Sequence, residues 1–90
     1  MSELGWLVYM IENEHGALYT GITTSMRRRL REHASDPRGA SFFRFGRPTR
    51  LVYAEVAFDR SGALRREAEI KRLRRAAKLA LVAAQEAASP

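Results

Sequence analysis

No cysteine occurs among the 90 residues, which removes disulfides, thiolate metal sites and thiol nucleophiles and fits a reducing compartment. Long apolar runs are missing too. The stretch WLVYMI at 6–11 falls far short of the roughly 20 residues a membrane-spanning helix needs. It also follows Glu3 rather than the basic region of an export signal. These absences read as a soluble cytoplasmic protein. There is no internal repeat, no linker and no low-complexity tract beyond the alanine-rich end. A chain of this length has room for one domain, 1–90, with one core, so a single site must carry whatever the protein does.

Acidic residues are scarce in two segments. Between Met26 and Arg50 eight arginines face only Glu32 and Asp36. Between Arg60 and Lys78 eight Arg and Lys face only Glu67 and Glu69. The compensating acids lie elsewhere, and the formal net charge is +6. A surface kept soluble by charge usually mixes the two signs, whereas basic blocks on an acidic background match a polyanionic partner. Solvated basic helices are the plain alternative, and composition alone leaves both open.

The apolar pattern predicts strands at 5–11 and 17–22, joined through ENEHG as a β-hairpin. Ser25 or a preceding threonine caps a helix running to about Ala34, which ends before Asp36-Pro37. An arginine-rich loop containing FFRFGRP follows, and RLVYAEVAF forms a third strand introduced by Pro48. Asp59 or Ser61 caps a second helix over about 63–73. The strong helix formers of AAKLALVAAQEAA make a third helix, or a continuation of the second. The order β-β-α-β-α-α predicts a small three-stranded sheet with helices packed on it, an α+β arrangement within the broad α/β class.

Strand and helix geometry narrows the candidates. With residues 12–16 as the hairpin loop, Tyr9 stands opposite Tyr19 and Leu7 opposite Gly21. Alternation then places both phenols and the bare backbone of Gly21 on one face, with the space above the glycine open to a ligand. A packed aromatic pair is the plain alternative. On a helical wheel Met26, Leu30, His33 and Ala34 form one apolar stripe, and Arg27, Arg28 and Arg31 point away. Arg29 sits at the stripe's edge, roughly 40° from His33. In the second helix Ala63, Ile70 and Ala77 define the buried stripe, with Glu67 at its margin and Glu69 outside. Glu67 and Lys71 also form an ordinary i, i+4 pair.

These residues resemble the GIY-YIG nuclease domain family, in particular its small stand-alone bacterial members. The first half-motif corresponds to Leu7-Val8-Tyr9 and the second to Tyr19-Thr20-Gly21. Arg29 follows the glycine by eight residues, His33 comes four later, and the context ALRREAEIK places the family's glutamate at Glu67. The likeness runs from about Trp6 to Leu81 and includes RPTRLVYAE and RRAAKLAL. The first half-motif keeps only its tyrosine literally, Ile22 stands where some members have lysine, and Phe43 stands where a threonine is expected. A late asparagine of some members has no counterpart.

The resemblance implies a three-stranded antiparallel sheet flanked by helices and a metal-dependent endonuclease that hydrolyses phosphodiester bonds. DNA is favoured over RNA, and structure-directed cleavage, as in DNA repair, over sequence-directed cleavage. It implies one Mg²⁺ or Mn²⁺ held by Glu67, an Arg29 grip on the scissile phosphate, and a His33 hydrogen bond to a tyrosine or the phosphate. Tyr9 is taken as the base and Tyr19 as the group orienting water and phosphate, with the reverse assignment open. Gly21, Arg27, Arg28, Arg44, Arg47 and Lys71 are the candidate substrate contacts. Phe42, Phe43 and Phe45 either stack on unpaired bases or close the core under their loop. The rival readings are a catalytically weak or inactive nucleic-acid-binding domain that keeps the fold, and a protein-interaction module. A separate protein partner could supply specificity to so small a domain.

Overall fold

The computed structural model describes the backbone of residues 5–35 and 46–89 and the side chains of 5–32 and 46–89. Phe42, Phe43, Arg44 and Phe45 lie outside these residues, as does the side chain of His33. Strand β1 (Trp6–Asn13) runs between β2 (Leu18–Thr23) and β3 (Pro48–Ala57) in an antiparallel sheet of order β2-β1-β3. Helix α1 (Met26–Ser35) follows β2, and α2 (Arg60–Arg72) and α3 (Arg75–Ala88) follow β3. The expected element order and the three-stranded α+β architecture are those of the structure. Among the described residues no helix is long and apolar enough to cross a membrane.

The unbroken apolar run of β1 has a simple cause: its strand is covered on both faces. Val8 and Met10 point to one side, where they pack with Tyr53, with Ala63 and Ile70 of α2 and with Val82 of α3. Tyr9 and Ile11 point to the other, against Tyr19, Ala54 and Met26 of α1. Each of Val8, Tyr9, Met10 and Ile11 is at most 1 % exposed. Alternation thus divides one strand between a larger aliphatic core and a smaller, phenol-bearing one.

The hairpin register differs from expectation by two residues. Tyr9 pairs with Gly21, and Tyr19 pairs with Ile11. The reason is Asn13, which the sequence pattern placed in the loop but which ends the strand. Its backbone N–H donates to the Ala17 carbonyl at 2.9 Å, and its side-chain oxygen accepts from the His15 and Ala17 N–H groups, both at 2.9 Å. Gly16, with φ +81°, donates to the Asn13 carbonyl and closes a three-residue loop. A shift of two keeps every side chain on its expected face.

Two of the three helices start from polar caps. The Ser25 hydroxyl accepts from the Arg28 N–H at 3.2 Å, and the Asp59 carboxylate accepts from the Gly62 N–H at 2.7 Å. Of the two caps proposed for α2, Asp59 is the one used. Helices α2 and α3 are separate, because Leu73 (ψ 146°) and Arg74 (ψ 160°) are extended. That break resets the helical phase, so Ala77, expected in the buried stripe, is exposed. Leu30 of the α1 stripe is also 39 % exposed.

Helix α3 is tied to the outer strand by one side chain. The Gln85 amide nitrogen donates to the Ala54 carbonyl at 2.6 Å, and its oxygen accepts from the Ala54 N–H at 3.2 Å. Gln85→Ala removes both bonds and should cost about 1–2 kcal/mol. The check is urea unfolding followed by circular dichroism, where an unchanged midpoint would show that the amide contributes nothing.

Candidate active site

The site lies where the centre of the sheet meets its β2 side. Tyr9 points across its neighbour strand at Gly21. A Cβ placed on Gly21 would sit 2.5 Å from the Tyr9 hydroxyl oxygen, 2.7 Å from the ring carbon bearing it and 3.2 Å from the Tyr19 ring. The open space expected above the glycine is therefore filled, and by the protein's own phenol. Gly21 is bare so that Tyr9 can lie across it. The two tyrosine rings are 6.3 Å apart between centroids and tilted by 45°, an ordinary aromatic contact that holds both phenols in one place.

Charged groups from two helices converge on this pair. The groups acting electrostatically on the Tyr9 phenol are Tyr19, Arg29, Glu67 and Glu32. Arg29 and Glu32 come from α1 and Glu67 from α2. Of the other four residues proposed as catalytic, Tyr19 thus touches Tyr9, and Arg29 and Glu67 lie within electrostatic reach of it. The fifth, His33, belongs to α1 one turn beyond Arg29. Burial is the largest influence on Tyr9 and raises its pKa well above 10.0, the ordinary phenol value. Tyr19, Glu67 and Glu32 raise it further, and only Arg29 opposes them. Tyr9 is consequently a neutral phenol at physiological pH. Tyr19 is half-buried and closer to solvent.

Arg29 is held but not satisfied. Its Nη1 lies 3.4 Å from Glu32 Oε1, while its Nε is buried and has no hydrogen-bond partner among the described residues. A buried guanidinium N–H without an acceptor is costly in a folded protein, and an arriving anion would relieve that cost. Glu32, which also lies 3.8 Å from Arg28 Nε, was not among the residues picked out from the sequence. Its spacing of three from Arg29 and four from Arg28 was the available signal.

Glu67 keeps its side chain 19 % exposed, with Lys71 Nζ 3.2 Å from its carboxylate. On the adjoining face of α2, Arg66 donates through Nε to Glu55 at 3.0 Å and through Nη1 to Glu69 at 3.2 Å. Tyr53 donates its hydroxyl to the same Glu55. This network fastens α2 to β3 immediately beside Glu67. The alternation of Tyr53 and Glu55 along β3 was its sequence signal.

The other proposed contacts fall further out. Arg27 and Arg28 are exposed on α1, and Arg28 donates to Thr24 Oγ1 at 3.2 Å. Arg47 is exposed at the entry to β3, where its backbone pairs with Glu14 of the hairpin loop. It therefore flanks the loop rather than the phenols. Among the described residues no group of three or more His, Cys, Asp or Glu could jointly hold a metal. The donors present at the pair are a carboxylate and phenol oxygens.

A sheet carrying two phenols, an arginine on the following helix and a glutamate on a later one defines a recognisable class. The chain belongs to the GIY-YIG catalytic domain family, whose pattern it matches over residues 5–80. Within it, the chain is similar to the UPF0213 protein of Desulfotalea psychrophila, 48 % identical over 81 residues, which are 90 % of this chain and 74 % of that one. It is also similar to the UPF0213 protein of Syntrophus aciditrophicus, 44 % identical over 75 residues, covering 83 % of this chain and 86 % of that one. The solution NMR structure of the UPF0213 protein from Bacillus halodurans is 40 % identical, covers 87 % of this chain and 82 % of its own, and superposes with a TM-score of 0.55. The family consists of endonucleases that generally use divalent metal ions, so membership points to nuclease activity on nucleic acid.

The Tyr9 environment makes a prediction about stability. A phenol whose folded pKa is raised contributes stability that is complete below the unfolded value near 10 and is lost as pH climbs through the folded value. Tyr9→Phe should therefore weaken the alkaline loss of stability, seen as a smaller drop in urea midpoint between neutral pH and pH above about 10. Identical alkaline profiles in the two proteins would count against the buried neutral phenol.

Proposed function

We propose that the protein is a metal-dependent endonuclease that hydrolyses phosphodiester bonds in nucleic acid, with DNA favoured and the shape of the substrate rather than its sequence directing cleavage. The observation that supports this reading is the contact of Tyr9 and Tyr19 over one glycine, with Arg29 and Glu67 within electrostatic reach of the Tyr9 phenol and the Arg29 Nε without an acceptor among the described residues. Packing alone does not call for a guanidinium donor to be buried without an acceptor.

Cleaving a phosphodiester takes a water that loses its proton, positive charge on the phosphoryl oxygens and support for the leaving oxygen. Arg29 is suited to the second task, because its charge is permanent and its fork matches two phosphate oxygens. The unpaired Nε and the weakly paired Nη1 are the donors it would present. The two phenols divide the first task. Burial and three like-signed neighbours hold the proton on Tyr9, so it serves as a hydrogen-bond donor that orients the water or phosphate. Tyr19, nearer solvent, is the phenol placed to take the water's proton. This is the reverse of the assignment first drawn from the motif, and adjacent phenols favour such a split because both cannot readily ionise together.

Mg²⁺ or Mn²⁺ fits the donor set. A single carboxylate with phenol oxygens nearby suits a hard cation that keeps most of its waters. Glu67 would hold it, with Lys71 moving aside from the carboxylate. The bound ion would supply Lewis-acid stabilisation of charge and a more acidic water. Binding of the rest of the substrate falls to exposed arginines such as Arg27, Arg28 and Arg47, which give affinity without reading sequence.

The test is incubation of purified protein with labelled single-stranded, duplex, flapped and branched DNA and RNA, with Mg²⁺, Mn²⁺ or chelator. Cleavage should require the metal. Glu67→Ala and Arg29→Ala should each lower it by about 10²-fold or more while leaving the circular dichroism spectrum unchanged. Salt-sensitive binding with no cleavage of any substrate would instead support a nucleic-acid-binding domain that has kept the fold.

A further inference from the structure

Two groups of cations contrast among the described residues. Arg28, Arg29, Arg50, Arg66 and Lys71 each face a carboxylate. Arg72, Arg74, Arg75 and Lys78 face none among the described residues, and no acid occurs anywhere from Ile70 to Gln85. Four unpaired cations within seven residues oppose their own assembly, since Arg74 and Lys78 repel each other one turn apart.

The fold nonetheless gathers them at one corner. The extended pair Leu73 and Arg74 turns the chain between α2 and α3, and both arms of the elbow are anchored: Ile70 is fully buried and Val82 is 8 % exposed in the same core. The corner is therefore rigidly mounted. On one side, Lys71 links it to Glu67 at 3.2 Å. On the other, the Arg75 guanidinium lies against the hairpin loop, 3.6 Å from the position a Cβ would take on Gly16. That loop is the one whose Glu14 holds the backbone of Arg47. Positive charge thus continues from Lys71, at the edge of the site, to Arg75 at the hairpin loop.

We infer that this elbow is a binding site for the sugar-phosphate backbone of the nucleic acid, gripping the strand to one side of the bond presented to Glu67. The inference rests on the nuclease reading above. From Glu67 to Arg75 the chain takes five helical steps and three through the extended pair, at most ~17 Å, which along a duplex axis matches roughly four to five phosphates of one strand. The elbow holds substrate and takes no part in bond breaking. Its contribution is electrostatic and independent of sequence.

The test replaces Arg72, Arg74, Arg75 and Lys78 together by alanine, a residue compatible with both helices. Binding of labelled duplex and flapped DNA is followed by fluorescence anisotropy between about 50 and 200 mM salt. The variant should bind about tenfold or more weakly, and the slope of log affinity against log salt should shrink by about 2 to 4. In cleavage assays the loss should fall on KM rather than kcat. Substrates trimmed to fewer than about four nucleotides on one side of the cleaved bond should lose affinity for the natural protein and not for the variant. Lysine at Arg72, Arg74 and Arg75 should preserve the slope. If the fourfold variant does not fold, the single variants Arg72→Glu and Arg75→Glu, at exposed positions, carry the same comparison.

Unchanged affinity and salt slope in a folded variant would overturn the elbow while leaving the nuclease reading intact. Loss of binding to vesicles containing phosphatidylserine, with DNA binding unchanged, would overturn it in favour of a membrane surface. Failure of the natural protein to bind or cut any nucleic acid would remove the reading on which it rests.

Discussion

The phenol of Tyr9 and a side chain at position 21 cannot share the same space, and much of the molecule is arranged around that exclusion. Because Gly21 has no side chain, a residue from the central strand can stretch over its neighbour and deliver a hydroxyl to the side of the sheet. There it lies within electrostatic range of a helix from each face: α1 with Arg29 above the phenols, and α2 with Glu67 packed through Ala63 and Ile70 on the opposite core. A site on the middle of either face would reach one helix only. Three strands and three helices suffice because the chemistry gathers where the two faces meet.

The electrostatics follow from the same placement. Burial that lets Tyr9 pack against Ile11 and Met26 also deprives its phenolate of water, so its proton stays. Arg29, within electrostatic reach of Tyr9, is itself partly buried, and its Nε has no acceptor among the described residues. This part of the molecule therefore holds two mismatched groups, a phenol that resists ionisation and a guanidinium with one N–H lacking an acceptor among the described residues. Tyr19 adds to the first, and a phosphate oxygen would answer the second. Glu32 and Lys71 act as resting partners for Arg29 and Glu67, at 3.4 Å and 3.2 Å, and hold these side chains near the phenols.

How far this was legible in the sequence depended on which signals are local. The sharing of one face by Tyr9, Tyr19 and Gly21 depends on strand parity alone, so it survived a hairpin register drawn two residues out. What escaped was the role of Asn13, a side chain that ends a strand by bonding its own loop, which composition reads simply as loop. The function of the glycine escaped for the same reason, since only the true register puts it beneath Tyr9. The break at Leu73 and Arg74 carries neither glycine nor proline, the usual stop signals. It is imposed by tertiary demands, because α3 must turn to bring Val82 onto the sheet and Gln85 onto Ala54. Arg29 and Glu67 were recognisable from helical phase, whereas Glu32 stood among so many charges that its pairing with Arg29 was not distinctive.

The amide that Gln85 lays along Ala54 has an effect beyond joining a helix to a strand. An outermost strand ordinarily offers bare N–H and C=O groups to any extended segment that drifts past, the usual beginning of aggregation. Here the glutamine imitates one peptide unit of a fourth strand and occupies that pair midway along β3. Foreign chains are denied a foothold there, on the border of the sheet opposite the strand that carries Tyr19 and Gly21.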